Sequence, residues 1–457
     1  MQILFALAIF LAAAPRLPLI DAAKNVDHDA VRALLKQGVN VNATEGDGTT
    51  ALHWASYRDD LETADALIRA GAKVNAANDL GATPLWTAAQ NGSEAMVRRL
   101  LEAGANADAK LLSGETPMMV AARSGSPTVV ELLLAKGANV NARGSRAQTA
   151  LMWATAQRHP EVVKVLLAHH ADVNARSETW SEVMAVTPHG YLDYNKSIPH
   201  GNDTALLFAA REGDLESAKL LVATGANVND EDAWGVSATT LAAHSGFADI
   251  VEFLLDKGAN ANADKVGFTA LHEAVMRRDE GLVKLLLDHG ADANVPLRTW
   301  TPLRRTSVDL HFEPELVGAT PFWMAARFAA PNIMRLLVKH GADPLFVHHS
   351  DRVVEGRNGV AFEHRKESTT ALMAAAGQGG GGAPWTEVKR SEREGLALEA
   401  VKIAVELGVD VNAKNTDGRT ALDSAKVLKW DSVVAFLTEK GAKPGSAAAT
   451  ARPSIGK

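Results

Sequence analysis

Three histidines late in the chain, His348, His349 and His364, are the residues closest in type to a metal site. Adjacent histidines cannot easily turn their imidazoles toward one ion, and no carboxylates stand at a spacing that would complete a ligand set. The HEAVM segment opens with His272 and Glu273 but lacks the second histidine that a zinc-binding helix face requires. In DEDAWG, residues 230–235, Trp234 stands where a calcium loop needs an oxygen ligand, and no glutamate closes the loop. Gly379 to Gly382 are followed by no lysine and Ser/Thr pair, so they read as a flexible turn and not as a phosphate cradle. GxSxG and Walker patterns are also absent, and no GxGxxG follows a strand. With no cysteine in the chain, disulfides, thiolate zinc sites, thioether-attached haem and lipid attachment at an N-terminal cysteine are impossible. The expectation is a protein with no catalytic residues, no metal and no cofactor.

Recognition chemistry, in contrast, recurs at a fixed place. Seven residues after a recurring Thr or Ser come Tyr57, Gln90, Arg123, Ala156, Arg211, His244, Met276 and Arg327, and the next residues are Arg58, Asn91, Ser124, Gln157, Glu212, Ser245, Arg277 and Phe328. Stacked in register, Arg58, Arg123, Arg211, Arg277 and Arg327 would form a broken basic ladder able to grip carboxylates or an acidic peptide through forked hydrogen bonds. The alternative is ordinary solvated arginine near helix ends, partly neutralised by Glu102, Glu131 and Glu161.

What sets that register is a period. TALHWA at Thr50, TPLWTA at Thr83, TPMMVA at Thr116 and TALMWA at Thr149 stand 33 residues apart, the mark of a solenoid whose units cannot bury their apolar faces alone. The threonines are N-cap candidates, and Pro84 and Pro117 take the one helical position where a missing N–H costs nothing. Gly71, Gly104 and Gly137 then end a second apolar run by supplying the left-handed conformation that closes a helix. Further starts at Thr204, Ser237, Thr269, Thr320, Thr370 and Thr420, with ends at Gly225, Gly258, Gly290, Gly341, Gly408 and Gly441, complete the series, and LPLIDA from Leu17 aligns one unit earlier.

TALHWA, TALHEA at 269–274, GANVNA at 137–142 and GADAN at 290–294 resemble the TPLHxA and GADVN signatures of the ankyrin-repeat family. The resemblance implies an all-α solenoid of about eleven helix-turn-helix repeats joined by hairpin loops, spanning residues 17–443. It further implies a concave groove, bordered by the recurring residues above, that binds a protein partner. His272 would be the histidine that bonds a neighbouring turn, and Asp232 the hairpin aspartate.

Four insertions break the period, since Thr149 to Thr204, Thr269 to Thr320, Thr320 to Thr370 and Thr370 to Thr420 span 55, 51, 50 and 50 residues. Three place their extra residues in inter-repeat hairpins, at 176–201, 295–318 and 345–368, and the fourth enlarges the turn between two helices before Gly408. The first carries Trp180, His189, Tyr191, Tyr194 and His200, aromatics with polar handles suited either to recognition or to shielding adjacent helices. The candidate partner contacts are therefore Tyr57, Arg58, Gln90, Asn91, Arg123, Arg211, His244, Arg277, Arg327 and Phe328, with Trp180, Tyr191 and Tyr194 from the insertion. Competing readings are a small-ligand site built by the insertions, and an envelope scaffold that only spaces partners.

The net charge of −7, from 47 basic and 54 acidic residues, argues against nucleic acid as a partner. Ile3 to Ala14 is an apolar run of secretory length that is too short to span a bilayer as an ordinary helix, and Ala12 with Ala14 gives a small-x-small end. Residues 1–16 are accordingly expected to be a signal peptide, and the protein an exported monomer, periplasmic or secreted, without stable membrane insertion. Residues 444–457 are expected to form a disordered tail. Export predicts a mature chain starting between Ala13 and Leu17, and intact-mass measurement on protein from its natural host that still finds Met1 would refute it.

Overall fold

The computed structural model describes residues 17–184, 195–301, 311–355, 362–379 and 390–445. Contacts group the chain into two compact units, Met1–Ala175 and Arg176–Lys457. The anticipated signal peptide, His189, Tyr191, Tyr194, Gly380 to Gly382 and all but the first two residues of the tail lie outside the described residues.

The first unit holds five helix pairs: α1 (Pro18–Lys24) with α2 (His28–Lys36), α3 (Ala51–Tyr57) with α4 (Leu61–Arg69), α5 (Pro84–Gln90) with α6 (Glu94–Glu102), α7 (Pro117–Ser124) with α8 (Pro127–Ala135), and α9 (Ala150–Ala156) with α10 (Pro160–Ala168). The helices start where the threonines stand, because the hydroxyls of Thr50, Thr83, Thr116 and Thr149 accept from the N–H groups of His53, Trp86, Met119 and Met152. The odd-numbered helices pack on one another in an inner row and the even-numbered ones in an outer row. Ala55, Ala88, Ala89, Ala121, Ala122 and Ala154 are fully buried on the inner helices, where short side chains let the backbones approach closely. Leu67, Leu100, Leu133 and Leu166 supply the same buried leucine once per repeat from the outer row, each stabilising the fold by about 1.5–3 kcal/mol of removed apolar surface.

The second unit repeats this plan with six pairs: α11 (Ala205–Glu212) and α12 (Leu215–Ala223), α13 (Ala238–Ser245) and α14 (Ala248–Asp256), α15 (Ala270–Met276) and α16 (Glu280–Asp288), α17 (Pro321–Arg327) and α18 (Pro331–Lys339), α19 (Ala371–Ala375) and α20 (Arg390–Glu406), and α21 (Ala421–Leu428) and α22 (Asp431–Glu439). The all-helical solenoid of eleven pairs is therefore present among the described residues, with an addition. Two insertions contain antiparallel ribbons: β1 (Trp180–Met184) pairs with β2 (Lys196–His200), and β3 (Val347–Glu355) with β4 (Phe362–Thr370). The fourth insertion ends in helix, since α20 runs 17 residues after the five of α19. Its Glu394 accepts from Ser432 N and Oγ at 2.8 and 2.6 Å, satisfying an amide at the start of α22 that Trp430 cannot cap.

A side-chain ladder binds successive hairpins. Asn42 donates Nδ2 to Gly71 O at 3.2 Å and accepts from Lys73 N at 2.7 Å; Asn75 does the same with Gly104 and Asn106, and Asn141 with His170 and Asp172. In the second unit Asn262, Asn294 and Asn412 repeat both bonds. Each amide closes one carbonyl at a helix end and one amide of the next turn, groups that would otherwise lack partners. The Asn294 rung reaches Gly341 and Asp343 across the second insertion, so the ladder continues past it. At the start of the third insertion Leu345 stands in the asparagine's place and has no side-chain amide to form the rung.

His170 occupies the helix-end position that glycine holds elsewhere, and its φ of 64° matches the left-handed backbone of Gly71, Gly104 and Gly137 at 88°, 88° and 82°. A β-carbon there costs on the order of 1 kcal/mol. His170→Gly should raise the denaturation midpoint by a corresponding several tenths to about 1 kcal/mol; a lowered midpoint would show that the side chain makes a compensating contact.

Candidate partner-binding face

The seventh residue of each inner helix and its neighbours line one edge of the inner row. In the first unit Trp54 meets Tyr57 edge to face at 5.7 Å, donates Nε1 to Glu45 at 2.6 Å, and lies beneath Lys24 Nζ at 4.6 Å. Tyr57 itself is 54% exposed, and Gln90 is exposed. The Arg123 guanidinium sits 4.8 Å from the Trp153 ring, a cation–π pair at a half-buried position. This edge thus combines half-exposed aromatics with one arginine bound to no carboxylate among the described residues.

The eighth position does something else. Arg58 Nε donates to Lys24 O at 3.0 Å, Asn91 Nδ2 to Tyr57 O at 2.9 Å, and Ser124 Oγ to Ala89 O at 3.4 Å. In the second unit Ser245 Oγ donates to Arg211 O at 3.1 Å and Arg277 Nη1 to His244 O at 2.8 Å. Each donor reaches back to a carbonyl in the last turn of the preceding inner helix, one of the orphaned acceptors every helix leaves. The basic ladder expected from sequence is therefore split: Arg58, Asn91 and Arg277 stitch repeats together, which the alternation of Arg, Asn and Ser at one position, all donors, already signals.

In the second unit Arg211 pairs with Asp203 at 2.8 Å and covers Phe208 at 5.5 Å, and His244 Nδ1 lies 3.0 Å from the buried Glu273 carboxylate. Two residues do not belong to an open face. Phe328 is 1% exposed and forms part of the core, where a large apolar ring is more stable than at a wet helix end. Arg327 is half-buried near Glu313, Glu315, Glu367 and Arg352, and burial holds its guanidinium below the usual arginine range against the pull of Glu313. Arg352 of β3 bonds Glu315 at 2.8 Å over the same place. The second and third insertions thus cover the inner helix of this repeat.

Trp180 is 36% exposed and stacks on His200 at 5.3 Å across the β1–β2 ribbon. The three late histidines are not brought together. His348 is buried against Trp323 with Nε2 on Val317 O at 3.0 Å, His349 bonds Ser368 Oγ at 2.8 Å, and His364 lies by Asp351 at 3.2 Å, opposite Val353 in the ribbon. Among the described residues no group of three His, Cys, Asp or Glu could hold a metal ion. Asp232 accepts from Trp234 N and Val236 N, both at 2.9 Å, and so shapes its hairpin; burial raises its carboxyl above the ordinary range, opposed by the Val236 bond.

His53 and His272 hold equivalent places. His53 Nδ1 accepts from Thr50 N at 3.2 Å, and its Nε2 bonds Ala82 O of the next hairpin at 2.9 Å. His272 keeps the first bond, from Thr269 N at 3.1 Å, and is fully buried, which pushes its pKa down to about 4 against the opposing Val295 carbonyl.

With this architecture in view, known proteins place the chain. A family model described as ankyrin repeats (3 copies) matches residues 19–111, 97–177 and 194–296, and a single ankyrin-repeat model matches 317–349. The chain belongs to the ankyrin-repeat family. It is 33% identical over 253 residues to an ankyrin repeat and KH domain-containing protein of Caenorhabditis briggsae, covering 55% of this chain and 9% of that one. An 81-residue stretch is 36% identical to serine/threonine-protein kinase 12 of Arabidopsis thaliana, covering 18% of each. The chain thus spans less than a fifth of the length of either relative. Among solved structures, the human ASB11 ankyrin repeat domain is 32% identical, with a TM-score of 0.44, over 54% of this chain and 99% of that one.

The buried His272 gives a pH dependence with a definite sign. Its folded pKa lies below the ordinary 6.5, so its contribution is intact above that value and is lost as pH falls toward 4, where the unfolded chain takes the proton first. The loss approaches about 3 kcal/mol at its limit. His272→Gln, which can still accept from Thr269 N, should make the denaturation midpoint less sensitive between pH 7 and 5; an unchanged slope would show that other histidines carry the effect.

Proposed function

We propose that this protein binds a protein partner along the inner edge of its first unit and performs no chemistry of its own. The observation that carries this reading is the run of half-exposed aromatics and accessible polar groups at Trp54, Tyr57, Gln90, Arg123 and Trp153, all held by stitched helices. Aromatic rings beside arginine are what buried interface anchors are built from. Membership of the ankyrin-repeat family, whose repeats generally serve protein–protein interaction, supports it. Arg211 and His244 offer a smaller polar stretch in the second unit. The apolar run at residues 3–14 supports an exported protein, periplasmic or secreted.

The test is site-specific photocrosslinking in the natural host. A crosslinker at Tyr57 or Gln90 should capture a defined protein that one at the outer-helix residue Glu131 does not, and Arg123→Glu should abolish that capture while the helical circular-dichroism signal stays unchanged. Equal capture from inner and outer positions, or capture indifferent to Arg123→Glu, would reject the assignment.

A further inference from the structure

Four inter-repeat segments of the second unit stand in a row that begins at the foot of the β1–β2 ribbon. Ala233 N donates to Gly201 O at 2.9 Å and Asn202 Nδ2 to Glu231 O at 3.2 Å, which sets the foot against the hairpin at 230–237. Lys265 Nζ pairs with Glu231 at 2.9 Å, and Arg298 N donates to Gly267 O at 2.7 Å, so the row runs on through the next hairpin to the second insertion. The far end of the ribbon returns to that same insertion. Lys196 Nζ donates to Thr299 Oγ1 at 3.0 Å and lies 4.1 Å from the centre of the Trp300 ring. These contacts close a ring in which the ribbon spans the two middle hairpins.

We propose that the ribbon is a strap gated by Lys196: latched, it keeps Ile198 and the Trp300 face from solvent, and released, it swings about its foot and exposes both. The two ends of the ribbon are held unequally. At the foot Asp203 N donates to Ser177 Oγ at 2.9 Å, Ser177 N donates to Asp203 O at 3.0 Å, and Arg176 pairs with Asp230 at 2.7 Å. At the far end, where Lys196 stands opposite Met184, the closure is one cation on an indole face and one bond to a neutral hydroxyl. Lys196 is half-buried, and a cation–π contact that water can reach is a weaker closure than the paired bonds of the foot. The far end is therefore where the strap opens.

Burial along the ribbon shows which face is seated. Side chains alternate along β2, so Lys196 and Ile198 share one face while Ser197 and its cross-strand partner Val183 take the other. Ile198 is 3% exposed and Trp300 7%, whereas Ser197 and Val183 are exposed. A two-stranded ribbon is marginal alone and depends on such seating. Withdrawal of the Lys196 ammonium uncovers one side of the indole and unseats Ile198, and the bonds of Ser177 and Arg176 keep the foot and the helix stack in place. The device involves the second unit alone and stands whether or not the edge of the first unit binds a partner.

Because the chain has no cysteine, thiol probes can be placed in it without background. Spin labels on the full chain at Ser197→Cys and at Glu252→Cys of α14, both exposed positions, should give one narrow distance distribution by double electron–electron resonance. Lys196→Gln, which keeps a donor but loses the charge, should add a broad second population, and Lys196→Arg, which keeps a cation able to stack on the ring, should not. A distribution unchanged by Lys196→Gln, or already broad with Lys196 in place, would overturn the strap. Exposure is read by thiol labelling of Ile198→Cys as the sole cysteine. It should react several-fold more slowly than Ser197→Cys, and Lys196→Gln should speed it several-fold; a rate indifferent to Lys196→Gln would overturn the gate. Loss of the helical circular-dichroism signal in Lys196→Gln would show that the lysine supports the stack itself and would likewise overturn the proposal.

Discussion

No helix pair in this protein can bury its own apolar face, so everything else depends on contact between successive pairs. The inner helices meet through alanines with no exposed surface, and the outer helices contribute one buried leucine per repeat. Removing one such leucine would cost about 2–5 kcal/mol, because neighbouring repeats fixed by their own hairpins cannot collapse into the space. The asparagine rungs add direction to this apolar stack. They bond the end of one helix pair to the hairpin before it, so each repeat is held at a set rise and angle and not merely pressed against its neighbour.

That constraint explains which polar residues are available for recognition. At Arg58, Asn91, Ser124, Ser245 and Arg277 the eighth position of the inner helix supplies a donor to the preceding helix end. The seventh position has no such duty, and in the first unit it carries Tyr57, Gln90 and Arg123. At α17 the second and third insertions close over the same edge, where Phe328 becomes an interior residue and Arg327 is half-buried. Individuality in this chain therefore comes from where the repeated edge is left open and where an insertion occupies it.

Much of the architecture was legible because it repeats. Thr or Ser at ten of the eleven inner-helix starts, Gly at the pair ends other than His170 and the 33-residue spacing specify eleven pairs, and even His170 keeps the left-handed backbone its position demands. The ribbons were not legible: VHHSDRVVE and FEHRKESTT are short and polar on both faces, and their pairing is decided by tertiary contacts such as Arg352 with Glu315 and His348 with Trp323. The basic ladder misled for a related reason. A row of arginines looks the same in sequence whether the guanidinium meets a partner, as Arg123 is free to do over Trp153, or a backbone carbonyl one repeat back, as with Arg58 and Arg277.

The separation of duties between two adjacent residues is the claim on which this account rests, and Gln90 and Asn91 test it most directly. Asn91 donates to Ser56 O and Tyr57 O at 3.2 and 2.9 Å, whereas Gln90 is exposed at the neighbouring position. Equilibrium unfolding of Asn91→Ala and Gln90→Ala should show a loss of about 1 kcal/mol for the first and no measurable change for the second. Equal stability of the two variants, or a larger loss for Gln90→Ala, would contradict it.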